Sequence, residues 1–171
     1  MNRLKKLTAL AALAAVFATT GCTSQTTIAA LVTTLGNASA SIAAIENNPT
    51  LANQLKADTA AASQAVLNWK KGTPAQNVVQ ALNIVQNDLS LITGTCNTGI
   101  PGPVCQYVPL IDLAIATTTS IIQIVNPATA VPAATKGRLG AFNAPKDSVQ
   151  FKKQWNKICS GNPNLVRAAI Q

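Results

Sequence analysis

Four cysteines, Cys22, Cys96, Cys105 and Cys159, are the residues of this 171-residue chain with the widest range of chemistry. A cysteine can act as a nucleophile, ligate a metal or form a disulfide. The chain has no histidine and only five acidic residues, so a Cys–His pair and a Ser–His–Asp triad are both excluded. The sequence has no Cys-x-x-Cys pair, which argues against a zinc site. We therefore expect no enzyme activity, no catalytic or metal-ligating residues and no cofactor.

Cys96 and Cys105 flank the segment Asn-Thr-Gly-Ile-Pro-Gly-Pro-Val, whose glycines and prolines favour a compact turn. We predict a disulfide between Cys96 and Cys105 that closes this small loop. Cys159 is an alternative partner for either of them, because a helix returning to the same end of a bundle would bring it close. If Cys22 is also a thiol, four cysteines allow two bridges and three connectivities. This cysteine usage is typical of an oxidising compartment.

The first 22 residues have the pattern of an export signal, with basic residues first, then an apolar run from Leu7 to Ala18, then Thr-Thr-Gly before Cys22. This stretch resembles the signal peptide and lipobox of a bacterial lipoprotein precursor, in which a small residue precedes the cysteine that is lipidated. The resemblance covers these residues only, and Thr19 stands where the family usually has a large aliphatic residue. It implies that residues 1–21 are removed and that lipid on Cys22 anchors the mature chain to a membrane.

The same stretch has two other interpretations. Cleavage after Ala18 would give an ordinary secreted protein in which Cys22 is an unmodified thiol. An uncleaved anchor is disfavoured, because the apolar run is shorter than the roughly 20 residues that cross a bilayer. By resemblance to the lipoproteins, Thr23 after the cysteine implies delivery to the outer membrane of the bacterial cell envelope, facing the periplasm.

Hydrophobic periodicity after the signal predicts a single helical domain over residues 22–171. Apolar residues recur at helical spacing in three segments and cover almost every face of a fourth, a pattern typical of a helix buried among others. A β-branched run near the end of that fourth segment could locally prefer a strand. The four predicted helices cover residues 26–47, 49–71, 73–94 and 108–125.

The connection between the second and third predicted helices contains the clearest boundary signals. Lys70 and Lys71 should lie in the last helical turn, at the negative end of the helix dipole, with Gly72 as the stop. Thr73 and Gln76 have the spacing of a capping box, with a proline between them at the first helical position.

Residues 126–145 contain three prolines and are predicted to form an irregular connection. A short basic helix capped by Asp147 or Ser148 should follow, with Phe151 and Trp155 on its buried side. The predicted fold is therefore all-α, an antiparallel bundle of four main helices plus a short C-terminal basic helix.

Positive charge is concentrated in the last 36 residues, which hold seven basic residues against Asp147 alone. These side chains could contact anionic lipid or an anionic partner protein in the envelope, whereas an exported chain with few aromatic residues is not expected to bind nucleic acid. A solvated helix face is the alternative interpretation. The predicted contact residues are Lys136, Arg138, Lys146, Lys152, Lys153 and Lys157, with Arg167 also available.

We expect a non-enzymatic, lipid-anchored envelope protein that binds or scaffolds another envelope component. Two alternatives of a different class stay open. The first is a membrane-active protein that inserts Val108–Val125 into lipid. The second is a helical carrier with an apolar cavity between its helices.

Overall fold

Five α-helices form a bundle in the computed structural model, which describes residues 24–97, 103–127 and 145–171. Three short 3₁₀ helices in the described residues cover Gly94–Asn97, Pro103–Tyr107 and Pro163–Ala168. The predicted all-α class is confirmed, since the described residues contain no strand. The α-helices are α1 (Gln25–Ile45), α2 (Pro49–Asn68), α3 (Gln76–Thr93), α4 (Val108–Val125) and α5 (Ser148–Ser160).

Several predictions concern residues outside this description. They are the signal peptide at 1–21, lipidation of Cys22, the basic residues Lys136 and Arg138, and most of the predicted connection over 126–145.

Helices that are consecutive in the chain pack against each other, α1 on α2, α2 on α3 and α3 on α4, while α5 packs on α1 and α4. Their apolar stripes meet in one core, as the periodicity predicts. The antiparallel order of the four main helices stays a prediction.

The first two helices begin with side-chain caps. Ser24 Oγ accepts a hydrogen bond from the Thr27 amide (3.1 Å), and Asn48 Oδ1 accepts one from the Leu51 amide (3.1 Å). Pro49 occupies the first turn of α2, where the proline needs no amide hydrogen. The predicted boundary between the helices over residues 26–47 and 49–71 is therefore confirmed, and three residues connect α1 and α2.

The connection between α2 and α3 differs from the prediction. α2 ends at Asn68, so Lys70 and Lys71 lie beyond the helix and the prediction that they occupy its last turn is wrong. Trp69 is extended, and its Nε1 donates to the Thr73 carbonyl (3.1 Å) across a turn in which Gly72 has φ +90°. Only glycine adopts such a φ at little cost.

The predicted capping box is also wrong. The Thr73 hydroxyl donates back to the Lys70 carbonyl (2.7 Å) and helps to close the turn, so it does not cap the next helix. α3 begins at Gln76, with Ala75 as a cap residue whose side chain makes no hydrogen bond. Its predicted buried face is confirmed, and its members are Val78, Leu82, Val85, Leu89 and Ile92.

α4 has the predicted bounds and the predicted burial. Leu110, Ile111 and Leu113 have no exposed surface, and the β-branched run at its end stays helical. Thr117 and Thr118 are buried, and each hydroxyl donates a hydrogen bond to the carbonyl four residues earlier. These bonds offset the cost of removing the hydroxyls from water. Two stretches, Gln25–Ile45 and Pro103–Val125, are long and apolar enough to cross a membrane, but each buries 61% of its most apolar window within the fold.

Candidate binding surface

One disulfide joins two cysteines of the described residues. Cys96 and Cys105 are bonded, with Cα atoms 5.4 Å apart, which confirms the pairing predicted from the loop between them. Cys159 is a free thiol on α5 and is 2% exposed. The alternative pairing of Cys159 is therefore absent, and burial raises the pKa of its thiol. A buried thiol with a raised pKa is a poor nucleophile, so Cys159 is a core residue.

α5 is positioned by an aromatic anchor and by the chain segment that follows it. Trp155 and Phe151 have no exposed surface, and their ring centroids lie 5.4 Å apart. Trp155 Nε1 donates to the Ala168 carbonyl (2.7 Å), while Asn156 exchanges two hydrogen bonds with the backbone of Ile170, each 2.8 Å long. These contacts fix the rotation of α5 about its axis, because one face is held in the core.

The opposite face of α5 is basic and exposed. Lys153 and Lys157 are spaced four residues apart, so they lie on one face, and Lys146 precedes them just outside the helix. We call Lys146, Lys153 and Lys157 the lysine face. Within the described residues, Lys153 and Lys157 have no ion-pair partner, because the single acidic residue of this region, Asp147, caps the helix through the Gln150 amide (2.8 Å). Val149 is 60% exposed on the same face.

Lys152 behaves differently from the other predicted contact residues. It is half-buried, and its Nζ donates to the Gln171 carbonyl (2.8 Å). One residue along a helix turns the side chain by about 100°, so Lys152 points toward the final segment while Lys153 points to solvent. Of the six predicted contact residues, the structure places Lys153 and Lys157 on one face of α5 and Lys146 just before the helix, while Lys152 bonds to the final segment. The remaining two, Lys136 and Arg138, lie outside the described residues.

A shallow cleft lies beside the α2–α3 turn. Trp69 is half-buried, and its indole forms part of the cleft wall. The cleft has a volume of about 650 Å³, and Ile124, at the end of α4, is 44% exposed along it. A smaller cleft of about 380 Å³ also borders Trp69 and reaches Asn77 at the start of α3.

A pair of acidic residues is the feature that sequence reasoning missed. Asp88 of α3 is 3% exposed, and its carboxyl interacts with Asp58 of α2. Asp88 follows Val85 by three residues and precedes Ile92 by four, so it falls on the apolar stripe of α3. The position of Asp88 on this stripe is the sequence feature that indicates its burial.

Burial also affects Tyr107, which precedes α4. Its side chain is 2% exposed, and the loss of water around it raises the pKa of the phenol, with a smaller contribution from the nearby charge of Glu46. The charge of Arg167 opposes this shift. Tyr107 therefore lies within range of a charge at the end of α1 and of another in the final 3₁₀ helix.

No model of a known protein family matches the sequence, and no curated protein or solved structure matches it either.

Proposed function

We propose that this chain is a non-enzymatic, lipid-anchored protein of the bacterial cell envelope that binds or scaffolds another envelope component. In this proposal, residues 1–21 are the signal peptide, lipid on Cys22 holds the mature chain at the outer membrane, and the protein faces the periplasm. The lysine face of α5 makes the contact with an anionic lipid surface or an anionic envelope protein.

The lysine face is the observation that carries this proposal. Lys153 and Lys157 project from one side of a helix whose other side is fixed in the core, so their charges point in a common direction, and Lys146 lies just before that helix. Each basic residue near an anionic membrane surface contributes about 1 kcal/mol, and salt reduces that contribution. A lipid anchor would hold these lysines at high local concentration near such a surface.

The burial of α4 favours this proposal over membrane insertion. Leu110, Ile111 and Leu113 lie in the core, and α4 packs on α1, α3 and α5. Inserting α4 into lipid would separate it from these three helices and expose their apolar faces to water. Dye release from vesicles by the delipidated protein would support the membrane-active alternative.

The cleft beside Trp69 favours a second candidate function, the helical carrier. Its volume, about 650 Å³, falls within the range typical of small-molecule sites, and its walls include an indole and the exposed side chain of Ile124. A native mass spectrum of the purified protein that shows a bound lipid-like mass would support this candidate.

Lipidation is tested by the intact mass of the mature protein isolated from membranes, before and after reduction. We expect a diacylated or triacylated chain that begins at Cys22, and reduction should add the mass of two hydrogens for the Cys96–Cys105 bond. Cys22→Ser should remove the acyl mass and release the protein into the aqueous phase, because the thiol that accepts the lipid is gone. A native product that begins at Thr19, or that carries an unmodified Cys22, contradicts the anchor.

The lysine face is tested with vesicles that contain anionic phospholipid, using the delipidated protein at low salt. Lys153→Gln with Lys157→Gln should weaken binding about 30-fold, because two contributions of about 1 kcal/mol each are lost. Lys70→Gln with Lys71→Gln is the matched control, since it removes the same charge from the α2–α3 turn. Equal losses in the two double variants would mean that net charge, not the lysine face, determines binding.

A further inference from the structure

The contact between α2 and α3 contains a buried carboxyl group with one unused oxygen. Asp88 Oδ1 accepts a hydrogen bond from Gln54 Nε2 (2.9 Å), but Asp88 Oδ2 is buried and has no hydrogen-bond donor among the described residues. An ionised carboxylate left without a donor in a buried site is costly, because it loses its hydration and gains little in return. A protonated carboxyl avoids most of this cost.

Asp58 of α2 is the group that interacts with this carboxyl. It is half-buried and lies one turn after Gln54, so both side chains face α3. Two neighbouring carboxyl groups cannot both be ionised without repulsion, whereas a single proton between them allows a hydrogen bond from one to the other. The geometry therefore favours a state in which the pair holds one proton.

We propose that Asp58 and Asp88 form a proton-binding site that joins α2 to α3 when the pair holds a proton and weakens their contact when both are ionised. In the protonated state the carboxyl hydrogen lies between the two side chains and Gln54 donates to the other Asp88 oxygen. The fold is then more stable in mild acid than at neutral pH, which makes the α2–α3 contact sensitive to the pH of the envelope.

The direction of the pKa shift agrees with this proposal. The pKa of Asp88 is raised from 3.8 to about 6, first by burial and then by the neighbouring Asp58 carboxyl, which favours the protonated form as a hydrogen-bond partner and disfavours the ionised form by its charge, while the hydrogen bond from Gln54 lowers the pKa. A folded-state pKa above the unfolded value means that the folded protein binds more protons between these values. The contribution of Asp88 to the free energy of unfolding is then fully present below about pH 4, and it is lost as the pH rises through about 6.

Few other charges surround this pair. α1 contains no charged residue, and Asp112 is the single charged residue of α4. The groups that act on the Asp88 carboxyl are Asp58 and Gln54, both on α2. The pH dependence of the α2–α3 contact should therefore follow these two carboxyls.

The experiment compares urea denaturation of the mature, delipidated protein and of three variants between pH 4 and pH 7. For the wild type, the Asp88 contribution should raise the unfolding equilibrium constant about 50-fold over this range, as a pKa change from 3.8 to about 6 requires. Asp88→Asn should remove that contribution, because the asparagine amide has nearly the shape of the carboxyl group and can still accept a hydrogen bond, but it does not titrate. Asp58→Asn should reduce it only in part, since burial of Asp88 remains the larger cause.

Asp147→Asn is the control, because asparagine also caps helices and this residue is far from α3 in the chain. It should leave the pH dependence of the wild type unchanged. If Asp88→Asn fails to fold, a carboxyl ¹³C titration of Asp88 in the wild type and in Asp58→Asn gives the same comparison. A midpoint that does not move down in Asp58→Asn, or an Asp88→Asn variant with the wild-type pH dependence, overturns the proposal. So does Ca²⁺ that stabilises the wild type but not Asp88→Asn at pH 7, since the pair would then bind a metal.

Discussion

Replacing Trp155 with alanine is expected to lower the free energy of unfolding by about 3–5 kcal/mol. The side chain has no exposed surface and stacks at an angle on Phe151. Its Nε1 also donates to the Ala168 carbonyl, so truncation leaves a cavity in the core and a buried carbonyl without its donor. Both losses fall on the contact between α5 and the segment after it.

Urea denaturation followed by circular dichroism measures this effect, and two further variants locate its cause. Trp155→Phe keeps most of the ring volume but removes the hydrogen bond, so it should cost about 1–2 kcal/mol. Trp69→Ala is the matched control for losing an indole, and it should cost less than Trp155→Ala because Trp69 is half-buried. A larger loss in Trp69→Ala than in Trp155→Ala would contradict the anchoring of α5 described here.

Interior packing was the part of this fold that the sequence could predict. α4 has its predicted bounds, and the buried residues of α3 are the ones that helical spacing selects. Burial of apolar side chains supplies most of the stability of a helical bundle, and a repeat of 3.6 residues records which face is buried. The all-α class follows from that signal alone.

Helix ends were less predictable, because side-chain to backbone hydrogen bonds determine them. Trp69 and Thr73 both bond to carbonyls within the α2–α3 turn, and this ends α2 three residues before the predicted boundary. Thr73 satisfies the motif of a capping box, yet the same hydroxyl can reach a carbonyl behind it. The capping-box motif shows that the Thr73 hydroxyl could cap α3. It does not show that this hydroxyl bonds to the Lys70 carbonyl instead.

The candidate site could be predicted only in part. The basic character of α5 is visible in the sequence, but the separate roles of Lys152 and Lys153 depend on which side of α5 enters the core. The acidic pair depends on contact between residues 30 positions apart. Helical spacing places Asp88 on a buried face, but it does not show that Asp58 of another helix meets it.

Replacing Gly36 with alanine should also be strongly destabilising, with a loss of about 3 kcal/mol. Gly36 is buried where α1 crosses α2, and a Cβ at residue 36 would lie 2.5 Å from Thr59 Cβ. Real carbon atoms do not approach so closely, and moving the Thr59 hydroxyl would not relieve a clash with Cβ. The two helices must therefore separate, which weakens the most extensive helix contact among the described residues. The measurement is the free energy of unfolding in urea.

A second substitution distinguishes this clash from a general effect of the Gly36→Ala change. Thr59→Gly removes the Cβ that Gly36→Ala would meet, so the double variant should be more stable than the sum of the two single losses by about 1–3 kcal/mol. Gly94→Ala is the control for adding a methyl group to this chain, since nothing lies within 4 Å of a Cβ there, and it should change stability by less than about 0.5 kcal/mol. Additive losses in the double variant would mean that α1 and α2 do not cross at these two residues.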